Sequence, residues 1–395
     1  MQTGTAPAGG AHSSDAAERA ERYKWVILFA LVLAAIVEVL PTTIVNVAMP
    51  TMAGNLGCTI DEIAWVSTAY ILANVVVLPM TAWISERFGA KRYLIASLMA
   101  FLATSVMCGL SHNLGQIILW RLLQGACGAP LLSLTQALIL EVFPRRQHDM
   151  AQSIWGAGII VAPTLGPMIG GWLTDAYSWC WIFYINVPVA LLAAVLIARF
   201  LPVMRSPLAG GAVDSVGILL LAAGLGSIQY VLEEGNRKDW FGSVLIARLT
   251  VLGIVSMILF VIWQLAARNR HPIVNLHILQ DRGLAAGVIL NTIVGFGLYV
   301  GMYLFPIFAQ LIMGFTATKT GIVALPAGAA AFVSMMFCGV AMTKGVQPRH
   351  LVIAGITVFV WAMWNLGHMS VHSNEFDSAR GLFWYGLGLG LLFVP

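Results

Sequence analysis

Two ionisable side chains in this 395-residue sequence lie deep within apolar runs. Glu38 sits inside the run 25–47 and Arg121 inside 115–139, whereas the other acids and bases fall at the ends of such runs or between them. A charge near the centre of a bilayer costs roughly 2.5–3.5 kcal/mol on insertion scales, so each needs a partner or a task. Two readings are open. The pair can form a buried salt bridge joining the first and fourth runs, or Glu38 can load and release a proton as its surroundings alternate between apolar groups and a nearby cation. All eight histidines lie in the tail, the loops or the run ends. Glu38 is therefore the proton site that the residues themselves suggest.

A second constellation is Glu86-Arg87-Phe-Gly89-Ala-Lys91-Arg92, an acid and three bases around a glycine between two runs. Its charges can pair with one another, with lipid phosphate or with a neighbouring helix end; the plainer reading is a membrane-surface anchor. A third is the glycine series of the fifth run. Gly158, Ala162, Gly166 and Gly170 recur every four residues and give one smooth helix face, while Pro163 and Pro167 remove backbone donors and invite a bend. Such a face serves moving bundles or static packing equally. Tyr70, Asn74, Gln136, Asn291 and Tyr303 are polar or amphipathic residues within runs; each can line a pocket or hydrogen-bond a neighbouring helix.

Composition says what must position these residues. The chain is 59% hydrophobic and 10% charged, with a mean hydropathy of +0.86, against about 25% charged residues in a soluble domain. A soluble enzyme and a disordered chain are excluded, and an all-α polytopic membrane protein remains. Spans of roughly 20 residues are needed to cross the hydrocarbon core. They are expected at about 25–47, 64–84, 93–111, 115–139, 152–173, 181–203, 215–233, 244–266, 283–312, 320–342 and 350–369, with a twelfth beginning near Gly381. That last run stops at Pro395, inside the membrane, so a longer protein is expected. Residues 1–23 read as a flexible tail, and 267–282 as an interfacial segment or a linker.

Fifteen of the 21 Lys and Arg residues fall in the tail and alternate loops, which places the N-terminus in the cytoplasm. The basic residues never form one dense face, so nucleic acid is not an expected partner. Five scattered cysteines without a CxxC offer neither a metal site nor a disulfide framework. Gly314-Phe-Thr-Ala-Thr-Lys319-Thr320 lacks the glycine that precedes the lysine of a phosphate loop, and Gly386-Leu-Gly388-Leu-Gly390 follows no strand. With no enzyme motif and no nucleotide site, no enzyme activity and no cofactor are expected, and active transport would draw on an ion gradient.

Taken in order, the segments EVLPTTIVNVAMPTMAGNLG, AWISERFGAKR, LWRLLQGACGAP, GAGIIVAPTLGPMIGGWLTD, WIFYINVPVALLA, DSVGILLLAAGLGSIQYVLEEGNRKDWF and HPIVNLHILQDR resemble the major facilitator superfamily. The resemblance is to its EmrB-like, fourteen-helix drug:proton antiporters, over about residues 24–395. It implies a tail (1–23), a six-helix bundle (24–204), a linker with two inserted helices (205–266) and the first part of a second six-helix bundle (267–395). It further implies that Glu86, Arg87, Gly89, Lys91 and Arg92 form the gating motif, that Arg121 serves proton coupling, and that Gly158, Pro163, Gly166, Pro167 and Gly170 belong to the antiporter motif. Three positions depart from that family: Ala82 replaces a glycine, Glu86 stands where Asp is usual, and Pro41 occupies a site where many relatives carry a protonatable Asp. Glu38, three residues earlier on nearly the same helix face, can take its place.

The function so implied is proton-driven export of amphipathic or hydrophobic drugs and toxic compounds across a bacterial inner membrane by alternating access. An EmrA-like periplasmic adaptor and an outer-membrane channel are implied as partners, beside membrane lipid. An exporter of one metabolite, a non-transporting receptor or scaffold, and a membrane-embedded enzyme are the alternatives.

Overall fold

The computed structural model describes residues 9–202, 214–266, 272–274, 276–315, 317–369 and 374–393. Twelve long helices follow one another: α1 (Gly9–Leu56), α2 (Asp61–Phe88), α3 (Ala90–Gly109), α4 (Leu114–Val142), α5 (His148–Ala176), α6 (Trp181–Phe200), α7 (Ser215–Glu234), α8 (Val244–Leu265), α9 (Arg282–Leu311), α10 (Ala317–Thr343), α11 (Pro348–Gly367) and α12 (Glu375–Phe393). Among the described residues ten helices are long and apolar enough to cross a membrane, and α9 and α12 fill the two remaining places in the expected order. The last span begins at Glu375, six residues before its expected start.

Helix α1 differs from the expected tail. Residues 9–22 are helical, and a break at Tyr23 (φ −113°, ψ 15°) separates them from the membrane span; residues 1–8, and positions 267–271 and 275 of the interfacial segment, lie outside the described residues. Beyond the break, Ile27, Leu28, Leu31, Ala34, Ala35 and Glu38 recur at three- and four-residue steps and are all buried. This face turns α1 into the centre of the first bundle, against α4, α5 and α6.

The other spans start and stop at identifiable signals. Asn113 caps α4, accepting from the Gln116 amide at 2.9 Å. Asp281 caps α9 through the amides of Gly283 and Leu284. Gly89 (φ 87°) makes the turn between α2 and α3 that a side chain would strain. Within α2, a 3-10 turn at Leu78–Met80 carries Pro79.

Helices α1–α6 form one bundle, and the described parts of α9–α12 belong to a second. The two meet along α5 and α10, where Ala157 and Ile160 share a core with Val294, Ala331, Met335, Leu389 and Leu392. The inserted helices α7 and α8 pair with each other, and α7 lies against α2. Their outer surface stays apolar and open, with Val251 61% and Ile262 58% exposed, as suits a surface that lipid covers. The Gly386–Gly390 run is a packing device: Gly386 abuts the Ala327 carbonyl and Gly390 the Ser334 side chain of α10, while Gly388 abuts the Phe359 backbone of α11.

Candidate functional site: a buried carboxylate between three helices

Glu38 is 7% exposed. Each carboxylate oxygen has its own donor. Asn74 Nδ2 on α2 donates to Oε1 at 2.8 Å, and the backbone amide of Leu132 on α4 donates to Oε2 at 2.7 Å. Pro130, two residues before Leu132 inside α4, has no amide N–H to donate to the helix ladder. One titratable group thus ties together the first, second and fourth spans.

Arg121 is fully buried and forms a separate network on α4. Its Nε donates to the Val66 carbonyl at 2.9 Å and its Nη1 to Gln124 Oε1 at 2.8 Å; Gln124 Nε2 in turn donates to Ser105 Oγ. The guanidinium lies 4.3 Å from the Tyr70 ring centroid, and Nη2 has no hydrogen-bond partner. No carboxylate among the described residues lies within ion-pair distance of it. The salt-bridge reading of Glu38 and Arg121 is therefore corrected: backbone and amide dipoles hold both charges, and Tyr70 touches both residues. Its hydroxyl donates to the Glu38 carbonyl at 2.9 Å.

In the α2–α3 loop, Lys91 takes the helix-end option. Its Nζ donates to the carbonyls of Ala198 and Leu201, the last turn of α6, where the helix dipole is negative. Arg87 lies 5.9 Å from the Trp83 ring. No ion pair among the described residues involves Glu86, Arg87 or Arg92.

The glycine stripe of α5 faces α1. A Cβ at Gly158 would strike Val32, one at Gly166 would strike Thr43, and one at Gly170 would lie 2.9 Å from Ile44 Cγ2. Pro163 is buried on the same helix, and the Pro167 side chain lies outside the described ones. The opposite side of α5 carries the second bundle, with Ser153 against Gly339 and the Met168 backbone against Gly321. Helix α5 is thereby pressed between the helix that holds Glu38 and the other bundle.

Of the residues considered for a pocket, Tyr70 and Asn74 are instead the partners of Glu38 and Arg121. Gln136 and Asn291 are exposed and belong to neither network, and the Tyr303 side chain lies outside the described ones. Sequence reasoning missed Leu132, because a backbone amide leaves no mark by residue type; Pro130 was the available signal. It also missed Glu234, which accepts from Trp65 Nε1 at 2.9 Å and pairs with Arg237 and Lys238, fastening α7 to the start of α2. At the other end of the inserted pair, Asp214 accepts from Trp263 Nε1 at 2.7 Å and from Gln264 Nε2 at 2.9 Å.

The family profile described as Major Facilitator Superfamily matches residues 31–395. The chain is 37% identical over 304 residues to the multidrug export protein EmrB of Haemophilus influenzae, covering 77% of this chain and 59% of that one. It is 33% identical over 372 residues to the fatty acid resistance protein FarB of Neisseria gonorrhoeae, covering 94% and 72%. In structure it is similar to the proton:xylose symporter XylE, with a TM-score of 0.63 at 13% identity over 95% of this chain and 82% of that one. The human organic anion transporter MFSD10 gives a TM-score of 0.60 at 14% identity, over 95% and 85%.

Proposed function

Because this chain belongs to the major facilitator superfamily, we propose that it works as a proton-coupled exporter of amphipathic, mostly hydrophobic compounds, by alternating access. The observation that carries the reading is Glu38: a buried carboxylate on the central helix, held by neutral donors from α2 and α4 and, among the described residues, by no cation. A carboxylate so placed can accept a proton without first breaking an ion pair. The relatives' names, multidrug export and fatty acid resistance, support hydrophobic and amphipathic cargo.

Helix α5 supports the mechanical half of the reading. Its glycine face lets α1 approach closely, and its other face bears on α10. A change at Glu38 can therefore reach the bundle interface through one helix. The energy suffices: one charge crossing 100 mV releases about 2.3 kcal/mol, and a tenfold gradient costs about 1.4 kcal/mol. One proton then sustains roughly a fifty-fold gradient by voltage alone.

The setting proposed is a bacterial inner membrane with the N-terminus in the cytoplasm, and a periplasmic adaptor with an outer-membrane channel as partners; detergent co-purification with a coiled-coil adaptor tests the last point. For transport, everted vesicles containing the protein are acidified and then given a candidate drug or a long-chain fatty acid. Proton release on addition is expected from the wild type and not from Glu38→Gln. Undiminished release by that variant overturns the assignment of Glu38.

A further inference from the structure

A carboxyl that works by taking up and returning a proton inside a membrane must be hydrogen-bonded in both states. A buried group left without a partner in either one costs about 1–3 kcal/mol and would resist entering that state. The two donors on Glu38 differ in this respect. Leu132 offers a backbone N–H, which can donate and do nothing else. Asn74 offers a side-chain amide, which carries a donor and an acceptor on one rotatable group.

We propose that Asn74 is the positioning residue that makes proton loading at Glu38 reversible, and that the exchanged proton resides on Oε1. In the ionised state Asn74 Nδ2 donates to Oε1 while the Leu132 amide donates to Oε2, at the contacts the structure places there. On loading, a proton from water on the side of entry bonds to Oε1. The Asn74 amide turns about its Cβ–Cγ bond, and its carbonyl oxygen accepts from the new O–H. Oε2 keeps the Leu132 amide throughout, because a proton there would face a second donor. On release the O–H bond breaks, the proton passes to water on the other side, and the amide turns back. Both states remain satisfied, so neither traps the carrier.

The surroundings leave this task to Asn74. From α2, the Tyr70 hydroxyl is engaged with the Glu38 carbonyl. From α4, the Arg121 guanidinium lies across the Tyr70 ring and donates to Val66 and Gln124. Among the described residues, α5 and α6 supply no hydrogen bond or ion pair to the carboxyl. Among the described residues, Asn74 is thus the side chain on the carboxylate that can serve both protonation states.

The inference rests on Glu38 being the proton site, and the experiment separates the two. Substrate-induced proton release is measured across pH for the purified protein and for Asn74→Leu, Asn74→Gln and Glu38→Gln. Asn74→Leu removes a hydrogen bond to the charged state that is stronger than the one to the neutral state. Its pH profile is expected to move by about one unit toward alkaline pH. Asn74→Gln, which keeps both functions on a longer arm, is expected to return the profile to within a few tenths of a unit of wild type. Asn74→Ser, too short to reach Oε1, gives the same shift as leucine and serves if the leucine variant does not fold. Loss of release in Glu38→Gln together with an unmoved profile in Asn74→Leu overturns the inference and leaves Glu38 as the carrier. A glutamine variant shifted as far as leucine also overturns it. Retained release in Glu38→Gln overturns both.

Discussion

The Arg121 guanidinium lies 4.3 Å from the ring centroid of Tyr70. The hydroxyl of the same tyrosine donates to the backbone of Glu38, so one side chain of α2 touches both residues that carry the membrane-embedded charges. The two roles can be separated. Tyr70→Phe keeps the ring beneath Arg121 and loses the hydroxyl, at a cost of about 1 kcal/mol. Tyr70→Leu also loses the cation–π contact, worth about 2 kcal/mol when desolvated. Thermal unfolding in detergent is expected to rank wild type above phenylalanine above leucine; equal melting of the two variants would show that the ring contributes nothing to holding Arg121.

Close backbone approach sets a second expectation. A Cβ at Gly125 would run into the Tyr70 carbonyl, and one at Gly386 into the Ala327 carbonyl; neither obstacle is a side chain that can rotate away. Gly125→Ala and Gly386→Ala should each destabilise by about 1–3 kcal/mol, the range for overpacking. Gly287→Ala, with no atom within 4 Å of the added carbon, is the control and should be neutral or slightly stabilising. Detergent melting temperatures of the three variants decide the matter.

Lys91 predicts a local effect. Its ammonium holds the last carbonyls of α6, so Lys91→Met should fray that helix end by about 1 kcal/mol, a figure reduced for solvent screening. Hydrogen exchange at residues 198–201 should quicken several-fold, while exchange in the middle of α3 stays unchanged. Lys91→Arg, which keeps the charge, should recover most of the protection. Uniform quickening across the bundle would rule out a local cap.

Glu234 predicts how the inserted pair is attached. Its side chain is 7% exposed and bonds Trp65 directly, whereas its partners Arg237 and Lys238 are 42% and 36% exposed. Salt screens the outer ion pairs more than the buried indole bond. Glu234→Gln keeps an acceptor for Trp65 and should retain most of the protection of α7 against hydrogen exchange; Glu234→Ala should lose it at low and high salt alike. If high salt abolished the wild-type protection, the ion pairs and not the indole bond would be the fastening.

Sequence alone determined the membrane setting, the order of the spans and the two embedded charges. Hydrocarbon imposes a run length near 20 residues and penalises each stray charge, and both constraints act along the chain without reference to tertiary contacts. Partnership was decided only in the folded protein. Which donors meet Glu38 depends on helices brought together from 36 and 94 residues away, and one of those donors is a main-chain amide that any residue type could supply. The same limit explains why Asn74 looked like a pocket residue and why Arg121 looked like the natural mate of Glu38. Opposite charges in oil attract in principle, but here packing gave each of them dipoles as partners instead.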